Sequence, residues 1–273
     1  MSGEVVAARA AGAAGEAGVV RVTLRHEGRL NAMSRAMWRE LRAVFERIQC
    51  STEVRCVLVA GEGGAFCAGG DISEYPAFRF DAAELRDFHE NDVWGGLAAM
   101  LDCDVPIVAE IAGACMGAGV EMASCCDLRI AARTARFGAP IAKLGFPMAP
   151  REAQLVAGAV GELTARQILL EAATFSAGDM LARGFLSRVV DGDLLAADAL
   201  GTACRIAALA PGAARLNKQT LRALKTPQTP VGSAQSAIES IVNSAAIDPY
   251  AYADGAEHRE GITAFLAKRS PVF

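Results

Sequence analysis

The sequence predicts an α/β fold, and two observations support this. Over the first 210 residues, short runs of apolar and β-branched residues alternate with longer segments that have helical spacing. From Pro211 onward the strand signals stop and the chain has a helical pattern, with breaks expected near Pro227–Pro230 and Asp248-Pro249. Strand-then-helix order is typical of parallel strands joined by right-handed crossovers. We therefore expect a core over residues 1–210 and a C-terminal helical region over 211–273.

Local sequence patterns predict the individual strands and helices. The first 18 residues are rich in alanine and glycine and predict an edge strand at most, whereas residues 20–25 alternate like a strand with one wet face. Ser34 is a suitable N-cap for an amphipathic helix over 35–49. Further strands are expected at 54–60, 105–112, 128–132 and 186–190, and further helices at 82–101, at 151–173 with a division at Gly161, between Ser176 and Gly184, and at 194–209.

The stretch between Val105 and Ile130 carries the strongest functional signal. Its apolar strand is broken at Gly113, and the small residues 116–119 lead into a short apolar helix. The first amides of a helix lack partners within it and lie at the positive end of its dipole. Such donors suit a developing oxyanion, and small residues let a substrate carbonyl come close. Glu121, a lone carboxylate among apolar neighbours, stands one turn further on.

Composition excludes several classes of function. The chain is 52% hydrophobic and 21% charged, with a formal net charge of −4. It has no basic block of the kind that binds nucleic acid, and no apolar run near the roughly 20 residues of a membrane span. Eight cysteines and three histidines follow no metal-binding spacing. We expect reduced, mostly buried thiols, no metal, no secretory or transit signal, and a cytoplasmic protein.

Five segments, taken together and in order, resemble motifs of the crotonase superfamily, the enoyl-CoA hydratase/isomerase group. The resemblance runs from about residue 18 to the C-terminus, and the matching segments are Arg29–Met33, Gly64–Ile72, Ile111–Asp127, Phe137–Pro140 and Glu260–Arg269. It implies a crotonase-type spiral of β-β-α turns with a C-terminal helical trimerisation region. It also implies a homotrimer, or a hexamer built as a dimer of trimers.

The same resemblance implies a site. The substrate would be an acyl-CoA or enoyl-CoA thioester, with no tightly bound cofactor. The backbone N–H groups of Gly70 and Ala118 would form an oxyanion hole for a thioester enolate, with Glu121 as acid and base. Positions expected near coenzyme A are Arg29, Ala32, Ala68, Asp71, Ile72 and Lys268. From the residues alone, Asp71 also suits a cap on the following segment, and Lys268 suits a solvated helix end.

The sequence departs from the hydratase pattern at one position. Hydratases of this family use two glutamates, and the second falls on Ile141, which cannot transfer a proton. Glu121 could serve alone, with water or a substrate group in the second role. Alternatively, another residue replaces the missing acid, the candidates being Glu152, His89, Tyr75 and Asp92. The protein could also bind acyl-CoA with little turnover, or run a different enolate reaction such as decarboxylation or thioester hydrolysis.

Two unrelated classes fit less well. A dinucleotide-binding fingerprint would continue Gly117-Ala118-Gly119 with a third glycine, where Met122 stands. A nucleophile elbow would need serine between the two glycines, where Ala118 stands. A non-catalytic acyl-CoA sensor stays open, because binding survives the loss of an acid.

Overall fold

The computed structural model describes residues 3–9, 17–225, 252–253 and 255–273. The helix breaks expected near Pro227–Pro230 and Asp248-Pro249 lie outside these residues. The strands are β1 Glu4–Arg9, β2 Val19–Arg25, β3 Cys56–Gly61, β4 Ile107–Ile111, β5 Ala114–Met116, β6 Leu128–Ala132, β7 Arg136–Gly138, β8 Thr174–Ser176 and β9 Arg188–Val190.

The α-helices are α1 Arg35–Gln49, α2 Ala82–Asp87, α3 Trp94–Asp102, α4 Ala118–Cys125, α5 Pro150–Val160, α6 Glu162–Leu170, α7 Ala177–Ala182, α8 Leu195–Ala207, α9 Pro211–Lys225 and α10 Ala256–Leu266. Short 3₁₀ helices span Ile72–Ala77 and Pro140–Leu144, and a π-helical segment spans Phe88–Val93. The Ser34 hydroxyl accepts a hydrogen bond from the Met37 N–H, which confirms the predicted N-cap of α1.

The main sheet has six strands in the order β1-β2-β3-β4-β6-β9. All pairs from β2 onward are parallel, as predicted, and β1 lies antiparallel to β2 at the edge. Strand β3 is buried on both faces because helices cover both sides. Val57 and Val59 face the cluster that contains α1, whereas Cys56 and Leu58 face the cluster that contains α8. This is why β3 is a continuous apolar run rather than an alternating one.

A second sheet, β5-β7-β8, positions the functional loops. Strands β5 and β7 run parallel, and β8 joins β7 in antiparallel orientation. We did not predict these strands, because three residues are too few to display alternation. The architecture as a whole is the crotonase-type α/β fold that the resemblance implied.

The C-terminal helices lie against the core through polar contacts. On α9, Lys218 forms an ion pair with Asp127 at 2.8 Å and Arg222 forms one with Asp104 at 2.7 Å. Asp127 also accepts a hydrogen bond from the Ile107 N–H at 2.7 Å. The division at residue 210 stays a prediction. Among the described helices, none is both long and apolar enough to cross a bilayer.

Candidate active site

The loop Cys67–Gly70 is held in place from two sides. On one side, the Cys67 N–H donates to the Ala114 carbonyl at 2.9 Å, and the Met116 N–H donates to the Cys67 carbonyl at 2.8 Å. On the other side, the Ala68 N–H donates to the Leu30 carbonyl at 3.0 Å. The loop therefore has little freedom, and its backbone groups point in fixed directions.

The N–H of Gly70 is left without an acceptor among the described residues, and the pairing pattern explains why. Met33 bridges to Gly70 in parallel register, with its N–H donating to the Gly69 carbonyl at 2.8 Å and its carbonyl accepting from the Asp71 N–H at 2.8 Å. A parallel ladder of this kind bonds the residues on either side of Gly70 and skips Gly70 itself.

The N–H of Ala118 likewise has no acceptor among the described residues. Ala118 is the first residue of α4 and is 6% exposed, so its N–H has no carbonyl within the helix. Gly117 precedes it with φ 47° and ψ −111°, a conformation that a residue with a Cβ rarely adopts. A Cβ built on Gly117 would lie only 3.6 Å from the Gly69 Cα, so the Ala118 and Gly70 loops are neighbours.

A cavity of about 220 Å³ opens beside both loops. Gly70, Ala118 and Glu121 all line it. Glu121 is 7% exposed, and its carboxyl makes no hydrogen bond or ion pair with any described residue. Burial raises the pKa of its carboxyl well above the usual range, and the negative charge of Glu152 raises it further. Both effects favour the protonated form of this carboxyl, which is suited to give its proton to a reacting carbon.

A second buried carboxyl lies in the same cavity. Glu152, on the first turn of α5, is 3% exposed, and its Oε1 accepts a hydrogen bond from His89 Nδ1 at 2.8 Å. His89 also lines the cavity, as does Ile141. Of the four candidates for the second proton-transfer role, the structure brings three to this cavity: Glu152, His89 and Tyr75.

Asp92, the fourth candidate, has a different environment. Its carboxylate is 3% exposed and accepts hydrogen bonds from Arg35 Nε at 2.6 Å and Arg39 Nε at 2.7 Å. It is not among the described residues that line the cavity. Asp92 therefore ties the π-helical segment to α1 and has no access to a ligand in the cavity.

Aromatic rings and a cation form one wall. Burial raises the pKa of Tyr75 to about 12, so this phenol is neutral. The Arg79 guanidinium lies 4.5 Å from the Tyr75 ring centroid and 3.7 Å from that of Phe146. Arg79 was not predicted, because its place in the cavity depends on the folding of residues 71–88 rather than on any local motif.

The residues expected near coenzyme A separate into two groups. Ala68 and Ile72 line the cavity, and Ile72 is 52% exposed. Asp71 instead caps the 3₁₀ helix Ile72–Ala77, its carboxylate accepting from the Ser73 N–H at 3.1 Å and from Arg29 at 2.7 Å. The Arg29 pair and the Ser73 bonds lower the pKa of Asp71, although burial opposes them. The alternative capping role of Asp71 is thus confirmed.

Ala32 and Lys268 lie away from the described cavity wall. Ala32 is 8% exposed, and its carbonyl is 2.7 Å from His26 Nδ1. Lys268 follows the end of α10 with φ 53°, in the left-handed conformation common after a helix, and it is exposed. Contacts of these residues with coenzyme A stay predictions. No group of three potential metal ligands occurs within the described ranges, and no disulfide joins the cysteines there.

Comparison with known proteins places the chain in a family. The model of the enoyl-CoA hydratase/isomerase family matches residues 14–273. A probable enoyl-CoA hydratase of Mycobacterium bovis is 32% identical over 253 residues, which cover 92% of this chain and 93% of that protein. A 2,3-dehydroadipyl-CoA hydratase of Escherichia coli is 30% identical over 255 residues, covering 93% and 94%.

Solved structures agree with this family assignment. The crystal structure of an enoyl-CoA hydratase/carnithine racemase from Magnetospirillum magneticum superposes with a TM-score of 0.85 at 34% identity, over 94% of this chain and 92% of that one. An enoyl-CoA hydratase/isomerase family protein from Hyphomonas neptunium gives a TM-score of 0.83 at 28% identity, over 98% and 97%.

Proposed function

The chain belongs to the enoyl-CoA hydratase/isomerase family, and from that premise we propose that it converts enoyl-CoA thioesters by way of a thioester enolate. The observation that carries the proposal is the pair of unpaired amides, Gly70 and Ala118, on neighbouring loops beside an unpaired buried carboxyl, Glu121. The named hydratases to which the chain is similar act on CoA thioesters, which supports the substrate class.

The two amides stabilise charge where the reaction develops it. When a nucleophile adds at Cβ, or a proton leaves the α or γ carbon, electrons move onto the thioester oxygen. Two fixed N–H donors stabilise that oxyanion without reorganising, and one such donor contributes about 2.7–4 kcal/mol to lowering the barrier. The loop contacts at Cys67 and Ala68 support this role because they hold the Gly70 amide before substrate arrives.

Glu121 transfers the proton at Cα. It lies one turn into α4, and its own N–H donates to the Gly117 carbonyl at 3.0 Å, so the helix that offers the Ala118 amide also carries the acid. Its raised pKa favours the protonated form of the carboxyl, which can protonate an enolate carbon. In the isomerase direction the same group, once ionised, removes a proton.

The substrate enters with its thioester beside Ala68 and Gly70 and its acyl chain in the cavity between Ile141 and the aromatic wall. We place the nucleotide part of coenzyme A outside the cavity, in contact with Arg29 and Lys268. The Arg29 side chain is 47% exposed and forms an ion pair with Asp71. It can therefore leave this carboxylate and bind a phosphate instead.

Assays with a panel of 2-enoyl-CoA and 3-enoyl-CoA thioesters test the proposal. We expect the wild type to hydrate or isomerise at least one member, and Glu121→Gln to bind the same ester without turnover. Wild-type rates in Glu121→Gln would remove this carboxyl from the mechanism. Tight acyl-CoA binding with no turnover of any member would instead favour the acyl-CoA-binding alternative that Ile141 leaves open, and release of free coenzyme A or CO₂ would favour thioester hydrolysis or decarboxylation.

We also propose a trimeric assembly, or a pair of trimers, in the cytoplasm. The supporting observation is a set of exposed apolar side chains on α9 and α10: Leu221, Leu224, Ile262, Phe265 and Leu266. An exposed apolar surface of this kind is typical of an interface. Light scattering coupled to gel filtration is expected to give three or six copies, and a monomer at micromolar concentration would contradict the assembly.

A further inference from the structure

The cavity holds two buried carboxyls and an imidazole, although the proposed function uses only Glu121. Glu152 comes from α5 and His89 from the π-helical segment, two elements that are more than 50 residues apart in sequence. Both line the same cavity as Glu121, as does Ile141, which carries no proton-transfer group. A buried charged residue that opens onto a cavity is costly unless it is paired, and here the pairing partner is itself titratable.

The contact between the two residues defines the chemical state of the imidazole. We assign the proton of this 2.8 Å contact to His89 Nδ1, because a carboxylate can only accept a hydrogen bond. The other ring nitrogen, Nε2, then carries a lone pair, and it has no hydrogen-bond partner anywhere in the described part of the chain. A carboxylate behind an imidazole fixes the ring orientation and stabilises the cation that forms when Nε2 takes a proton.

The backbone around His89 is also unusual. The Trp94 N–H donates to the His89 carbonyl, a bond between residues five apart that widens the helix turn over Phe88–Val93. Single π turns inside α-helices occur frequently at functional sites. This turn connects α2 and α3, and its register brings His89 to the cavity while Asp92, three residues on, points to Arg35 and Arg39.

We propose that His89, held by Glu152, is the second proton-transfer group of this enzyme and replaces the acid that is missing at Ile141. The inference rests on the proposed function. In hydration, His89 Nε2 takes a proton from water as its oxygen forms a bond to Cβ. The π electrons of the Cα–Cβ bond move onto the thioester oxygen, between the Gly70 and Ala118 amides.

The enolate then returns its electrons to Cα, which takes the proton of Glu121. One proton has moved from water to His89 and one from Glu121 to Cα, so the elements of water have been added. Transfer of a proton from the imidazolium to the Glu121 carboxylate, through solvent in the emptied cavity, restores the starting state. Glu152 touches no reacting atom and is a positioning residue.

Three variants separate this role from a merely structural ion pair. His89→Ala should lower kcat by about 10²–10⁴-fold, the usual contribution of a general base, with KM changed less than tenfold. Added imidazole should restore part of the lost kcat in His89→Ala, because it can occupy the vacated space. Glu152→Gln should also lower kcat, but imidazole should not rescue it. Asn91→Ala, an exposed change in the same π-helical segment, is the matched control and should behave as the wild type.

A spectroscopic measurement tests the tautomer without relying on turnover. In ¹⁵N NMR spectra, with the His89 signals assigned by their loss in His89→Ala, we expect a protonated Nδ1 and an unprotonated Nε2. Binding of acetoacetyl-CoA should shift the Nε2 resonance, and Glu152→Gln should weaken the tautomer preference.

The outcomes distinguish the two proposals. Wild-type kcat in a folded His89→Ala protein, together with an inactive Glu121→Gln protein, would overturn the His89 role and leave the enolate mechanism in place. Loss of kcat in His89→Ala without imidazole rescue, combined with a protonated Nε2, would also overturn it and indicate a structural pair. A wild type without turnover of any thioester would overturn both proposals.

Discussion

Replacing Glu121 with glutamine should change activity and stability in opposite directions. Glutamine matches the protonated carboxyl in shape but cannot give up a proton. We expect kcat to fall by about 10²–10⁴-fold, which corresponds to about 3–5 kcal/mol of transition-state stabilisation. Binding of a CoA ester should change little, because the amides of Gly70 and Ala118 remain in place.

The gain in stability that we expect for Glu121→Gln follows from the environment of Glu121. Its pKa in the folded chain is raised by burial and by Glu152 above the ordinary value of 4.5. Below pH 4.5 both the folded and the unfolded chain hold the proton on Glu121, and the free energy of unfolding does not depend on this group. As pH rises above it, the unfolded chain releases a proton that the folded chain retains, so the wild type loses stability up to the folded pKa. Each unit of difference between the two pKa values costs about 1.4 kcal/mol.

Thermal unfolding across pH 4–8 measures this pH-dependent difference in stability directly, and steady-state kinetics measure the change in kcat. Glu121→Gln should match the wild type at the acid end and become more stable toward neutral pH, by about 2–4 °C in Tm for each kcal/mol. Glu162→Gln, which changes a glutamate that is 77% exposed on its side chain, is the control and should move neither quantity. A Glu121→Gln protein with lower Tm at pH 8 and undiminished kcat would refute the account of this carboxyl.

Three further changes test other parts of the structure. Ala118→Pro removes one oxyanion donor at the first helical position, where proline is tolerated, so kcat should fall about 10²–10³-fold while the circular dichroism spectrum is kept; an unchanged kcat would count against the assigned hole. Ile141→Glu should add little to the wild-type rate of hydration but should restore part of it in the His89→Ala background, and no recovery there would argue that position 141 is not beside the reacting carbons. Asp92→Asn leaves Arg35 and Arg39 without their buried carboxylate and should lower the free energy of unfolding by about 1–3 kcal/mol in urea titrations, with kcat in the folded fraction kept; an unchanged midpoint would mean that these ion pairs are not stabilising.

Long, periodic elements could be predicted from the sequence because their patterns are local. The helix expected over 35–49 begins at Arg35 and ends at Gln49, and the division at Gly161 coincides with its φ of 83° between α5 and α6. The strands of the second sheet could not be predicted, because β5, β7 and β8 exist through pairing with distant segments rather than through a pattern of their own.

The candidate site could be predicted from the sequence to a similar extent. Glu121 and the small residues around Ala118 were identifiable because a lone acid and small residues stand out in an apolar stretch. The choice among Glu152, His89, Tyr75 and Asp92 could not be made, since it depends on how α5 and the π-helical segment pack. In the structure this packing pairs His89 with Glu152 and turns Asp92 toward two arginines. The cavity position of Arg79 has the same long-range origin.

A crystal structure with a bound acyl-CoA analogue such as acetoacetyl-CoA tests the central claim most directly. We expect the thioester oxygen within about 2.7–3.1 Å of both the Gly70 and Ala118 amide nitrogens. The Glu121 carboxyl should lie on the Cα side and His89 on the Cβ side. A thioester oxygen bound by neither amide, with Glu121 remote from Cα, would contradict the claim.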